Sequence, residues 1–206
     1  TNNLGIELHN ITTLDLCLDM SINIARLIRR LIRNPQITTI LNGKRIVNRK
    51  QDRPEIKYIS SGDMDKDKYL TVSIKQKKAI KDKSRGSTLI AYDKKAEIAN
   101  SSDKKYIDDY HSNPSKLHRL EVHLNNKEIK GYIENIRHEL SFYSLVNKDF
   151  LAKLFGFTLN SLIRFEKNNK PLDWVDLLTG AITTTPTKSA SQKASISKST
   201  KSHLKA

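Results

Sequence analysis

Between positions 14 and 20 the chain alternates strictly. Leu14, Leu16, Leu18 and Met20 are apolar, with Asp15, Cys17 and Asp19 between them. Period two over seven residues predicts a half-buried strand. Ser21 then stands where a helix N-cap belongs. Ile24, Leu27, Ile28 and Leu31 follow at helical spacing, with Arg26, Arg29, Arg30 and Arg33 among them, which predicts an amphipathic helix with an arginine face. Asn34-Pro35 stops it. Further strands are predicted over 56–60, 69–74, 87–92 and 117–124, and Ser61-Gly62-Asp63 is a turn signal between the first two. Residues 75–86 read as a charged loop, 94–99 as a helix or turn, and 101–114 as a polar stretch. From 126 to 165 apolar residues recur at three and four, through Ile129, Ile133, Ile136, Leu140, Phe150, Leu151, Leu154 and Phe155. A short helix is predicted over 173–178. Beyond 183 Ser, Thr, Lys and Ala dominate without a period, the pattern of a disordered tail.

Strands first and helices behind them, with short connections, predict an α+β domain: a mainly antiparallel sheet backed by helices. The expected organisation is a sheet domain over 1–125, a helical C-terminal part over 126–180 packed on the same domain, and a basic tail over 181–206. A length of 206 residues suits one domain with a tail. The sequence opens at Thr1 rather than Met, and the expectation is a fragment of a longer chain.

Charge narrows the functional classes. The formal net charge is +15. Ten basic residues fall between Arg26 and Lys57 against Asp52 and Glu55, and ten more between Lys66 and Lys95 against Asp67, Asp82 and Asp93. The tail adds five lysines and no acid. Dense basic blocks predict a polyanionic partner, nucleic acid first, because counterion release rewards many Lys and Arg contacts. The expected contacts are Arg26, Arg29, Arg30, Arg33, Lys44, Arg45, Lys77, Lys78, Arg85 and Lys95. No membrane partner is expected: no stretch reaches the roughly 18 apolar residues of a span, and no helix has an interfacial Trp/Phe/Leu face. One cysteine, Cys17, excludes a disulfide framework and points to a reducing, cytoplasmic setting. Nothing Gly-rich resembles a P-loop.

The alternation also sorts candidate chemistry. Asp15 and Asp19 share one strand face, although strands disfavour Asp. In LHRLEVHL (117–124), Arg119, Glu121 and His123 lie opposite the apolar face. If the two strands are neighbours, Asp15, Asp19, Glu121 and His123 converge, an oxygen-rich set suited to Mg²⁺ or Mn²⁺. The same positions also suit ordinary surface ion pairs, Asp15–Arg119 among them. Tyr92 closes an apolar strand and precedes Lys94 and Lys95. It reads as a cross-strand aromatic, or as a phenol that nearby cations push toward phenolate while they hold a phosphate.

Three segments taken together, LDLCLDM (14–20), YDKKAE (92–97) and HRLEVHL (118–124), resemble the rolling-circle replication initiators of the Rep_trans plasmid type and related initiators of single-stranded DNA phages. The resemblance spans residues 11–125. It implies a metal-dependent enzyme that nicks and rejoins origin DNA through a 5′-phosphotyrosine bond and leaves a free 3′-OH. It makes Tyr92 the nucleophile and Asp15, Asp19, Glu121 and His123 the metal set. Lys94 and Lys95 would contact phosphate, and Arg119 would orient Glu121 or the phosphate. Origin DNA is the implied partner, with room for a host helicase and a second copy of the chain. His123-Leu124-Asn125 carries one imidazole where the HUH class has His-hydrophobic-His. Two other readings compete: a non-catalytic DNA-binding regulator, and a metal-dependent nuclease that uses water and forms no covalent link.

Overall fold

The computed structural model describes residues 11–47, 54–59, 70–76, 86–137 and 141–179. Its first half runs β1 (Thr13–Met20), α1 (Ile24–Arg33), β2 (Ile37–Leu41), β3 (Lys44–Arg45), β4 (Ile56–Ile59), β5 (Thr71–Lys75) and β6 (Thr88–Asp93). Then come α2 (Lys94–Ser101), α3 (Lys105–Tyr110), β7 (His118–Asn125), α4 (Asn126–Ile136), α5 (Phe142–Val146), α6 (Lys148–Leu162), β8 (Ile163–Lys167), β9 (Lys170–Pro171) and α7 (Trp174–Thr179). The fold is α+β, as the alternation and helical spacing predict.

Five strands form the main antiparallel sheet in the order β1-β7-β6-β5-β4. Period-two alternation gives it one apolar face. Val72, Ile74, Leu89, Ala91, Leu120, Val122 and Leu124 are all buried in one core with Ile24, Ile28 and Leu31 of α1 and Leu154, Leu159 and Leu162 of α6. Burying each of these Val, Leu and Ile side chains contributes about 1.5–3 kcal/mol, which is what fixes the register. The helices α1, α4 and α6 therefore back the apolar face.

Caps set the joints. Asn23, not Ser21, caps α1 by accepting from the Arg26 amide at 2.9 Å. Asp93, the last residue of β6, caps α2 through the Ala96 amide at 2.9 Å. Asn125 ends β7 and caps α4. Strand turns directly into helix at both places, so the end of β6 is held rigidly.

A second sheet, β3-β2-β8-β9, is absent from the sequence-based expectation. It is built from two tight hairpins whose turns have both central residues at positive φ, Asn42-Gly43 and Asn168-Asn169. The pairing of β2 with β8 ties the first half of the chain to the C-terminal part. That part is thus not purely helical: the expected helix through Phe165 ends at Leu162, and Ile163–Lys167 is strand. The short helix expected near 173–178 is α7, and α3 lies within the stretch read as polar. The expected basic tail lies outside the described residues. No described helix is long and apolar enough to cross a membrane.

Candidate active site

The second face of the main sheet is polar, and the register lays its residues in rows. Asp19, Arg119 and Tyr92 are aligned across β1, β7 and β6. Cys17, Glu121, Ile90, Ser73 and Lys57 form the next row, across all five strands. Asp15, His123, Thr88 and Lys75 form the third. LDLCLDM and HRLEVHL thus lie on the adjacent strands β1 and β7, and YDKKAE begins at the end of β6, with Tyr92 on the same polar face, and continues into α2.

Arg119 is fixed by Asp19. Its Nε donates to Asp19 Oδ1 at 2.6 Å and its terminal nitrogen to Oδ2 at 2.7 Å. Both side chains are about seven-eighths buried, at 13% and 12% exposure. Burial pushes the Asp19 carboxyl up, but the hydrogen bonds and charge of Arg119, with His111, more than offset it, so its pKa lies below the ordinary value. The hydrogen bonds from Arg119 to Asp19 likewise raise the guanidinium's pKa. A guanidinium carries five N–H donors, and these two bonds leave others for a phosphate.

Tyr92 is half-buried beside this pair. Its hydroxyl donates to Glu121 Oε2 at 3.3 Å, diagonally across β6 and β7. Burial and then the Glu121 charge push the phenol well above its usual pKa, despite Arg119 nearby. This corrects the expectation of a phenolate favoured by the following lysines. Both lysines are engaged with acids: Lys94, almost wholly buried, bonds Glu97 at 2.5 Å, and Lys95 bonds Asp108 at 2.8 Å. The Lys94 ammonium also lies 5.8 Å from the Tyr92 ring centre, so it packs against that ring, with Glu97 as its acid partner.

The four expected metal ligands are brought to one face but not to one centre. Asp19 is held by Arg119 and by His111 Nε2 at 3.1 Å. Asp15 bonds His123 Nδ1 at 2.5 Å. Glu121 accepts from Tyr92. Among the described residues no three His, Cys, Asp or Glu side chains are grouped to hold an ion. The donor set in this arrangement does not fit the four-residue site, and Arg119 is oriented by Asp19 rather than aimed at Glu121. The alternative Asp15–Arg119 pair does not form either.

His111 was missed by sequence reasoning. It follows α3, in a stretch read only as polar, and its spacing to Asp19 carries no periodic signal.

The expected DNA contacts are scattered. Arg29 is buried in α1, its guanidinium 6.0 Å from the Tyr58 ring centre. Arg26, Arg30 and Arg33 are exposed, but α1 backs the apolar face, on the far side of the sheet from Tyr92. Lys44 and Arg45 lie on the second sheet, where Arg45 pairs with Glu166 at 2.9 Å. Lys77, Lys78 and Arg85 lie outside the described residues. Among the described residues the exposed cations on the polar face itself are Lys57 and Lys75.

No protein-family model matches the chain, and no curated protein matches it. Among solved structures the chain is similar to a rolling circle replication initiator protein from Geobacillus stearothermophilus, at 15% identity and a TM-score of 0.45. That similarity covers 83% of this chain and 56% of the other. The chain thus spans little more than half that protein's length, and a likeness this loose carries no function by itself.

Proposed function

We propose that this chain nicks and rejoins one strand of DNA through a covalent tyrosine intermediate, and that it does so to initiate rolling-circle replication. The observation that carries the reading is the Tyr92–Glu121 hydrogen bond beside the Asp19-held Arg119, on the polar sheet face of a chain with net charge +15. A regulator that only binds DNA has no use for a carboxylate bonded to a phenol on that face, because the acid repels phosphate. The motif resemblance, whose three segments bring Asp19, Arg119, Glu121 and Tyr92 to this face, supports the same reading.

Tyr92 holds its proton, so attack needs a base. Glu121 is within reach and takes the proton as the phenol oxygen bonds to phosphorus. The bond from phosphorus to the 3′-oxygen breaks, and that oxygen takes a proton from solvent to become a 3′-OH. Arg119 offsets the negative charge growing on the nonbridging oxygens. Rejoining reverses the steps: the 3′-OH attacks, the Tyr92 oxygen leaves, and Glu121 returns its proton. One phosphodiester is exchanged for another, so no nucleotide cofactor is needed. Lys57 and Lys75, two and one strands from β6, hold neighbouring phosphates. Mg²⁺ or Mn²⁺ stays part of the proposal as an additive whose requirement is to be measured, and no step is assigned to it.

The test is adduct trapping with a random-sequence single-stranded DNA library in Mn²⁺. Strands labelled at the 3′ end should migrate with the protein on a denaturing gel, and strands labelled at the 5′ end should be released with an extendable 3′-OH. Free fragments from both labels would mean hydrolysis by water instead.

A further inference from the structure

Two tyrosines outside the catalytic row stand exposed at its edge. Tyr106 is 66% and Tyr110 83% exposed. They sit four apart on α3, so their rings project from one side of the helix. Tyr143 on α5 is as bare, at 68%; what sets the α3 pair apart is the contact of their helix with the site.

The helix that carries them is locked to the site. Ile107 packs inward with Ile98 and Leu117. Asp108 faces the sheet side and takes Lys95 at 2.8 Å. The next residue after α3, His111, bonds Asp19, the carboxylate that holds Arg119. The Tyr110 ring stands edge-on to the His111 ring, with centres 5.0 Å apart. A continuous run of contacts therefore leads from Arg119 through Asp19 and His111 to Tyr110, and then one helical turn outward to Tyr106.

We infer that Tyr106 and Tyr110 are stacking platforms for unpaired nucleobases of the DNA strand whose phosphate lies at Arg119. The inference rests on the DNA reading above and adds where the strand runs. Exposed aromatic faces beside a cationic phosphate site are the combination that single strands use, because every base has a π-face. The charge around α3 favours bases over backbone on this side: Asp109 is exposed between the two tyrosines in sequence and repels phosphate, while Lys104, Lys105 and Lys116, also exposed, supply the general attraction. A duplex would keep its bases stacked inside and offer the rings nothing.

The test is fluorescence anisotropy on the full chain with a dT 15-mer and a fully abasic 15-mer of the same length. Replacing both tyrosines by alanine should weaken the dT 15-mer at least tenfold, within the roughly 5- to 150-fold per base that stacking supplies, and leave the abasic strand unchanged. Replacing both by phenylalanine should keep wild-type affinity, since the rings remain. Both positions are exposed, and an unchanged melting temperature certifies the fold. The inference is overturned if wild type does not prefer dT over abasic, if the double alanine variant binds dT normally, if it loses affinity equally for both, or if phenylalanine behaves as alanine. A wild type that forms adducts while the double variant binds normally defeats this inference alone. A wild type that stacks bases through these rings but forms no adduct defeats only the nicking reading.

Discussion

Asp19 grips Arg119 with two hydrogen bonds of 2.6 and 2.7 Å across β1 and β7, directly in register with Tyr92 on β6. Breaking this pair strands a mostly buried guanidinium. Asp19→Asn should therefore cost about 3 kcal/mol, a fall in melting temperature of about 6–12 °C for a chain of this size. The Asp19 pKa is lower folded than unfolded. Its stabilisation is then complete above the unfolded value near 4 and is lost as pH falls through the folded value. Melting scans from pH 6 to 2 should show that loss in wild type and a flatter profile in Asp19→Asn. Because Asp19 serves Arg119, the Mn²⁺ concentration giving half-maximal nicking should be the same in the variant's residual activity.

Glu121 separates two effects that ordinarily travel together. Its charge helps push the Tyr92 phenol up, second to burial. Glu121→Gln should lower the Tyr92 pKa, seen by ultraviolet titration as a difference from Tyr92→Phe. The same substitution should slow nicking about 100-fold or more, the usual contribution of a general base. A phenol that ionises more easily yet reacts more slowly identifies Glu121 as the base. Faster nicking would mean that Glu121 only suppresses the nucleophile.

His118 starts β7 and is buried, and burial holds its imidazole below the ordinary pKa. The unfolded chain takes up that proton first as pH falls. Its contribution to stability is complete above pH about 6.5 and fades as pH drops toward the folded value. Urea melts at pH 7 and 5.5 should differ more in wild type than in His118→Gln.

The polar face, not α1, should carry the cleavage-linked DNA contacts. Neutralising Lys57 or Lys75 should make the salt dependence of single-strand binding shallower by about one phosphate contact each. Arg30→Ala and Arg33→Ala, on the far side of the sheet, should leave both that slope and the nicking rate unchanged.

Much of the main sheet was legible because its strands alternate. Leu14–Met20 and Arg119–Leu124 set their polar side chains on one face as the alternation predicts, and both strands pack apolar residues on the same core; His118 is the exception, a polar residue buried on the apolar side. What alternation does not encode is partner choice among polar residues: Asp15, Asp19 and Arg119 are equally placed to pair by spacing, and only register decides that Asp19 meets Arg119 while Asp15 meets His123. The second sheet was hidden for a different reason. Asn42-Gly43 is a strong hairpin signal, but β3 and β9 have two residues each, too short for a period. The switch at Leu162 is also concealed, because Ile163 and Phe165 extend the apolar run of α6 with no Gly or Pro between. The i, i+4 spacing of Tyr106 and Tyr110 suits the helix α3 that carries them, but for His111 the stretch offers no signal beyond polarity.

The measurement that bears most directly on the central claim is the identity of the DNA-linked residue. Trapped adduct, digested with nuclease and trypsin and read by mass spectrometry, should carry its nucleotide remnant on Tyr92, in the peptide spanning 86–94. Tyr92→Phe should form no adduct while its affinity for single-stranded DNA stays within about twofold, since only a hydroxyl is removed. A remnant on Tyr106 or Tyr110, or an undiminished adduct from Tyr92→Phe, would contradict the assignment of this face as the active site.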